Sequence, residues 1–448
     1  MDTDDVIAST TGKSGPPRWM QWTVLALLAC FSVLLIVNEK RDVKNALAVL
    51  AAIAAIVLIV RDPGLCRISR CEWVFAGLLG AFLAVNVLSM LIAPEIPGRG
   101  EFSYKRLQVT GVMVALAAGL GLRDSPSVRR LLFALLAVAG LWYLAEAVSL
   151  PWRDAWLDGR LQGFRRHHSL LGCELTVLLC FYLSAIPMAR GRWTAALTVC
   201  GALLIGVLLA LNNTRAALLT VGCVSVPLLV LLQRRWGSWR WRVIAACVWI
   251  FVCLPVAGRT WGRWTDPRRK TDVSVAGRMS AYRTVLKLGC REPWGRVLIG
   301  NGRSGRVFEA AAAYYGFPRV ETERRYLLHA HNTLLQTFIE TGLAGALVLA
   351  GIWFVALRSA VAAWRAPPGA VADMSVVMIT ALVSVAVIGT VDYVLWKVPG
   401  ELIWLLAGMA FACGRGARPG DRASPKAPDD AVSAAGPMLE ETAGGNRI

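Results

Sequence analysis

Charge is what this chain has least of. Asp, Glu, Lys and Arg make up 17% of its 448 residues, against about 25% in an ordinary soluble domain. Hydrophobic residues reach 56%, and mean hydropathy is +0.53. So little polar surface cannot cover so large an apolar core in water, which excludes a soluble globular protein and makes lipid the solvent. Histidine is scarcer still, with four residues, and 29 acidic residues stand against 48 basic ones. No cysteine accompanies the histidines at zinc-ligand spacing, and the loops around them lack the acidic cluster that magnesium or manganese requires. Neither a metal nor another cofactor is expected. Of the 11 cysteines, Cys30, Cys173, Cys180, Cys200, Cys223, Cys247, Cys253 and Cys413 lie inside apolar runs, and only Cys290 falls in the long polar loop. That excludes a disulfide framework and leaves small buried hydrophobes.

What is present is a series of apolar runs of spanning length, near 19–37, 43–60, 73–92, 107–122, 131–149, 169–188, 193–211, 215–232, 243–257, 333–357, 374–391 and 398–413. The run from Trp193 to Leu232 is too long for one crossing of a ~30 Å core, and Asn212-Asn213-Thr214-Arg215 divides it. Leu27-Leu28-Ala29-Cys30 superficially resembles a lipoprotein cleavage site, but the apolar run continues to Val37, so the segment reads as an uncleaved first span. The expected architecture is an all-α polytopic membrane protein of about 12 helices with one long loop. Its divisions are an N-terminal segment (1–18), nine spans (19–257), the loop (258–332), three further spans (333–413) and a disordered tail (414–448).

Arginine sets the orientation. Arg61/Arg67/Arg70, Arg123/Arg129/Arg130, Arg190/Arg192, Arg234/Arg235 and Arg358/Arg365 fall on alternate loops, which the positive-inside rule places in the cytoplasm with both termini. The 258–332 loop is then extracytoplasmic, and it too is basic. Arg268, Arg269, Lys270, Arg278, Arg283, Lys287, Arg291 and Arg296 outweigh Asp266, Asp272, Glu292 and Glu309. The shorter outer loop at 151–167 adds Arg153, Arg160, Arg165 and Arg166. Long loops translocate regardless of charge. Two readings of the surplus stay open: attraction to anionic headgroups, and an anionic, phosphorylated substrate. Nucleic acid is not among the expected partners. Within the loop, Ala276–Gly289 and Val307–Gly316 read as short helices lying on the membrane, with a turn at Gly300-Asn301-Gly302 between them.

The densest chemical signal is the run from His331 to Gly345. On one continuous helix His331, Leu335, Phe338, Gly342 and Gly345 would share a stripe, with Asn332 as N-cap. A helix start among arginines favours an uncharged imidazole at His331, available as a base. Arg215 opens the eighth span at its outer face, where it either snorkels to headgroups or holds a buried anion. Arg278 lies on the first loop helix. His329 and His331, with His167 and His168, are the only conceivable metal set.

Three features resemble the lipopolysaccharide O-antigen ligases, within the wider superfamily of O-antigen ligases and polymerases. They are His331-Asn332 followed by Gly342-Leu343-Ala344-Gly345 at the end of the long loop, Arg215 with Leu219 at a span start, and the segment from Arg278 to Gly300-Asn301-Gly302. Tyr282 stands where many relatives carry Trp. The likeness in layout covers roughly residues 20–412. It implies a membrane glycosyltransferase of the polyprenyl-donor type. Such an enzyme moves an O-antigen chain from undecaprenyl pyrophosphate to a sugar hydroxyl of lipid A–core, at the periplasmic face of the inner membrane, without metal and with inversion. His331 is then the expected base, and Arg215 and Arg278 the groups on the pyrophosphate. Arg160, Arg166, His168 and Asn332 are expected to hold phosphate or glycan. The expected partners are the lipid-linked O-antigen, lipid A–core and membrane lipids.

An O-antigen polymerase or a protein O-oligosaccharyltransferase would share donor and chemistry. The short 151–167 loop favours the ligase, because polymerases often carry two substantial outer loops. A transporter or flippase would require charged or interrupted spans near the midplane, and these spans are mostly clean.

Overall fold

The computed structural model describes residues 18–37, 41–61, 69–92, 108–122, 125–149, 156–157, 160–161, 168–189, 191–212, 214–232, 273–302, 307–317, 321–322, 325–326, 329–367, 370–395 and 397–415, with positions 243, 247 and 250. Most of the expected span at 243–257, the ends of the chain and most of the 151–167 loop lie outside them.

Helices dominate. Before the long loop come α1 (Arg18–Val37), α2 (Arg41–Arg61), α3 (Arg70–Ile92), α4 (Val109–Gly121) and α5 (Ser125–Ser149). A two-residue hairpin follows, β1 (Trp156–Leu157) against β2 (Arg160–Leu161), then α6 (His168–Ala185), α7 (Arg192–Asn212), α8 (Arg215–Thr220) and α9 (Val226–Leu232). The loop contributes α10 (Val273–Arg291), α11 (Trp294–Ile299), α12 (Val307–Tyr314) and a second small hairpin, β3 (Glu321–Thr322) with β4 (Arg325–Tyr326). The chain closes on α13 (Thr333–Arg365), α14 (Ala370–Val391) and α15 (Lys397–Arg415). Among the described residues, 8 helices are long and apolar enough to cross a membrane, and each coincides with an expected span. The protein is an all-α polytopic membrane protein.

The expected span at 398–413 forms α15, which is not among these eight, and two others differ from a simple crossing. The 107–122 run forms α4, whose 13 residues cover about 20 Å at 1.5 Å each. It is apolar on all sides because it is surrounded by protein, with nine of its residues from Gly111 to Gly121 buried. Its small residues allow close approach. A Cβ at Gly111 would stand 2.2 Å from the Trp404 ring, and one at Gly119 would stand 2.7 Å from Phe75. Phe75 in turn stacks on Phe411 at 4.2 Å. The 215–232 run is broken by a π-helical turn at Val221–Ser225, between α8 and α9. Ser225 Oγ explains the bulge: it reaches back to the carbonyl of Thr220 at 3.1 Å and across to Ser384 Oγ at 2.7 Å.

The loop helices have a core of their own. Ala281, Val285 and Leu288 of α10 meet Val307, Phe308 and Ala311 of α12, over Ala330 and Ile339. The structure extends the first loop helix to Val273–Arg291, ends the second at Tyr314, and adds α11 between them.

The anticipated continuous stripe from His331 to Gly345 is corrected. His331 lies outside the helix with φ 49°, and α13 breaks at Gly342, where φ is 67°. The break frees carbonyls that the Gly300-Asn301-Gly302 turn fills. Asn301 N–H donates to Ile339 O and Gly302 N–H to Glu340 O, both at 2.9 Å. Only glycine allows this docking. A Cβ at Gly300 would stand 2.4 Å from Gly342 N, and one at Gly342 would stand 2.3 Å from Leu298 C and O. Gly342→Ala meets backbone strain of about 1–3 kcal/mol together with that clash, so a clear drop in thermal unfolding temperature is expected. An unchanged midpoint would contradict the docking.

Candidate functional site

The first turn of α13 and the loop after α14 interlock. Asn332 caps α13, its Oδ1 accepting from Leu335 N–H at 3.0 Å, while its Nδ2 donates to Thr390 O at 2.9 Å. Thr333 Oγ1 donates to Asp392 O at 3.0 Å and accepts from Val394 N–H at 3.1 Å. Three bonds from two neighbouring residues thus fix residues 390–394 against the start of α13. Asn332→Ala should cost about 1 kcal/mol for the lost cap alone, read as a lower unfolding midpoint with the helical content intact.

This clamp places Asp392 beside His331. Asp392 Oδ1 stands 3.4 Å from His331 Nδ1, an ion-pair distance rather than a tight hydrogen bond, and it accepts from Tyr393 N–H at 2.8 Å. Burial by itself raises the Asp392 carboxyl. The contact with His331, the Tyr393 N–H and the charge of Arg278 outweigh it and hold the group below its ordinary value. Sequence reasoning surrounded His331 with arginine alone, whereas the structure sets this carboxylate beside it. A carboxyl depressed by folding stabilises the fold above its unfolded value, about 4, and that contribution fades as pH falls through the folded value. Asp392→Asn should therefore be less stable than wild type near neutrality, with the gap closing below about pH 4. Melting curves across pH check this. A gap that persists or widens in acid would contradict it.

Arg278 joins the same environment. It is half-buried on α10, and its charge acts on both Asp392 and Tyr282. Tyr282, one turn along, holds α10 to the site, its hydroxyl lying 3.0 Å from His331 O and 2.9 Å from Thr390 O. Burial raises this phenol, the charge of Arg278 lowers it, and Asp392 raises it again.

Behind His331 the turn is held by buried polar groups. Gln336 accepts from Ala330 N–H at 2.9 Å and donates to Glu340 at 2.9 Å. The Tyr393 hydroxyl approaches both Glu340 oxygens at 3.2 and 3.3 Å. His329 packs its ring near that of Tyr393, at 5.6 Å, so it faces a different partner from His331. Among the described residues no three His, Cys, Asp or Glu side chains stand close enough to share a metal ion.

Arg215 is the first residue of α8, which packs against α6 and α14. The helix that ends just before Asp392 is therefore also a neighbour of the helix that begins at Arg215. The side chain of Arg215 lies outside the described structure, as do those of Arg160 on β2 and His168 at the start of α6, and the whole of Arg166. Asn332 is committed at both ends of its carboxamide, which has a second N–H and a second lone pair beyond these two bonds. The residues that sequence reasoning missed are Asp392 and Tyr393. Their signal was slight: an acid and an aromatic directly after the apolar run of α14.

Residues 200–350 match the family model described as O-antigen ligase. No curated protein matches the chain. The matched stretch contains Arg215, Arg278, His331 and both glycines of the docked break, and stops short of Asp392. Over that stretch, and not over the rest of the chain, the sequence is similar to the O-antigen ligase family.

Proposed function

We propose that the protein transfers an O-antigen polysaccharide from undecaprenyl pyrophosphate to a sugar hydroxyl of lipid A–core, at the periplasmic face of the inner membrane. The observation that carries this reading is the His331–Asp392 pair under the charge of Arg278, within and beside a stretch matching a family of ligases and polymerases. With Nδ1–H turned toward Asp392, the lone pair lies on Nε2. Nε2 takes the proton of the acceptor hydroxyl as its oxygen attacks the anomeric carbon. The bond from that carbon to the pyrophosphate oxygen breaks in the same displacement, and the configuration inverts. Undecaprenyl pyrophosphate departs with the electron pair, its new charge taken up by Arg215 and Arg278 in place of a metal. Asp392 orients the imidazole and stabilises its charged form after proton transfer, the part a carboxylate plays beside histidine in hydrolytic triads. The second N–H of Asn332, with Arg160, Arg166 and His168 at the rim, contacts glycan or phosphate.

The experiment is a purified assay with undecaprenyl-pyrophosphate glycan and three acceptors: lipid A–core, a second lipid-linked glycan, and a periplasmic protein. The expected product is glycosylated lipid A–core, formed equally well with chelator present. Product only on the second glycan or on protein would make this a polymerase or a protein O-oligosaccharyltransferase. Loss of activity with chelator would overturn the metal-free step.

A further inference from the structure

Outside the spans, α10 and α11 expose an apolar stripe that the proposed chemistry leaves unused. Leu286 is 64% and Trp294 81% exposed, with Met279 and Leu298 about half so. Arg283 and Lys287 are exposed on the same side of α10. The opposite side carries Ala281, Val285 and Leu288 into the loop core. The basic residues of α10 thus divide by face. Arg278 acts on Asp392, while Arg283 and Lys287 stand with the apolar stripe on the other face.

The height of this stripe is fixed by backbone contact. Leu298 abuts Gly342, and α13 carries exposed Leu343 and Leu347 just beyond it. Helix α11 also packs against α3, which ends on exposed Leu91 and Ile92. Helix α11 therefore stands against two spans, at the break in α13, and tryptophan is enriched where spans meet the membrane surface. A helix with an apolar stripe edged by Arg and Lys, at that depth, has the chemistry of an interfacial element on anionic lipid. Long basic side chains lay their stems along the apolar surface and extend their charge to phosphate.

We propose that α10 and α11 rest on the membrane surface, with Trp294, Leu298 and Leu286 among the headgroups and upper acyl chains and Arg283 and Lys287 on the phosphates of anionic phospholipids. The helix that carries Arg278 is then held at the height of a lipid pyrophosphate. Both earlier readings of the loop charge apply, to different faces of one helix.

The test reads the membrane contact itself, so its outcome stands apart from that of the glycosyl-transfer reading. The protein is placed in phosphatidylcholine nanodiscs, with and without phosphatidylglycerol and with or without bromines high on the acyl chains. The difference in emission between wild type and W294F isolates Trp294. The expected difference spectrum is blue-shifted and quenched by bromine, more strongly with phosphatidylglycerol. R283Q/K287Q should keep the quenching and lose that increment. A red-shifted, unquenched Trp294 in both compositions overturns the proposal, and quenching without any phosphatidylglycerol effect overturns its anionic-lipid half. If W294F fails to insert, native mass spectrometry of wild type and R283Q/K287Q decides. Fewer retained phosphatidylglycerol molecules on the variant support the contact, and equal retention overturns it.

Discussion

His331→Ala is expected to lower glycan transfer by about 10²–10⁴-fold, the usual contribution of a positioned general base, while the protein still inserts and still binds the lipid-linked donor. The backbone offers a control. His331 occupies the left-handed region with φ 49°, where asparagine is tolerated better than alanine. His331→Asn keeps the turn at lower strain and supplies no base. Equal loss in both variants assigns the defect to the imidazole, whereas recovery in the asparagine variant would assign it to the turn. Either way the Tyr282 hydroxyl keeps its partner, since it contacts the carbonyl of His331 rather than the ring. Full complementation of a ligase-deficient strain by His331→Ala would refute the base assignment.

Arg215→Lys should be nearly as damaging, about 10²–10³-fold in turnover, in the range seen when one preorganised donor to a developing anion is removed. Lysine retains the charge, so a residue that merely anchors to headgroups would tolerate the exchange. A pyrophosphate oxygen pair held by a planar fork would not, because a single ammonium cannot reproduce two parallel N–H bonds. The loss should appear in donor affinity as well as in turnover, which separates it from His331→Ala. Near-normal turnover in Arg215→Lys would return this residue to the anchoring role.

The spans were legible because each is an apolar run longer than a globular helix requires, and lipid imposes that length. Asn332 was legible as a cap because the side chain that satisfies the helix start is local in sequence. Asp392 was not. It stands far along the chain from His331, and contacts made by Asn332, Thr333 and Tyr282 bring them together. Gly342 was misread for a related reason. A glycine in a small-residue stripe and a glycine at a helix break look alike, and what distinguishes them here is the approach of Leu298 from α11. Helix α11 did carry a signal, with Pro293 before it and Gly300 after it, but its six residues are too few for a periodic pattern to register. The π-turn in the eighth span rests on a hydroxyl contact between Ser225 and Ser384 across two helices, which no local pattern records.

The proposition beneath all of this is that the first residue of α8, Arg278 of α10 and the turn at His331 surround one lipid pyrophosphate. A donor bearing a photoreactive diazirine on its first sugar tests it directly, with the cross-linked peptides read by mass spectrometry. Adducts from that single probe should fall on residues around 215, around 278–282 and around 329–332. Labelling confined to one of these segments, or found at the opposite ends of the spans, would contradict the account.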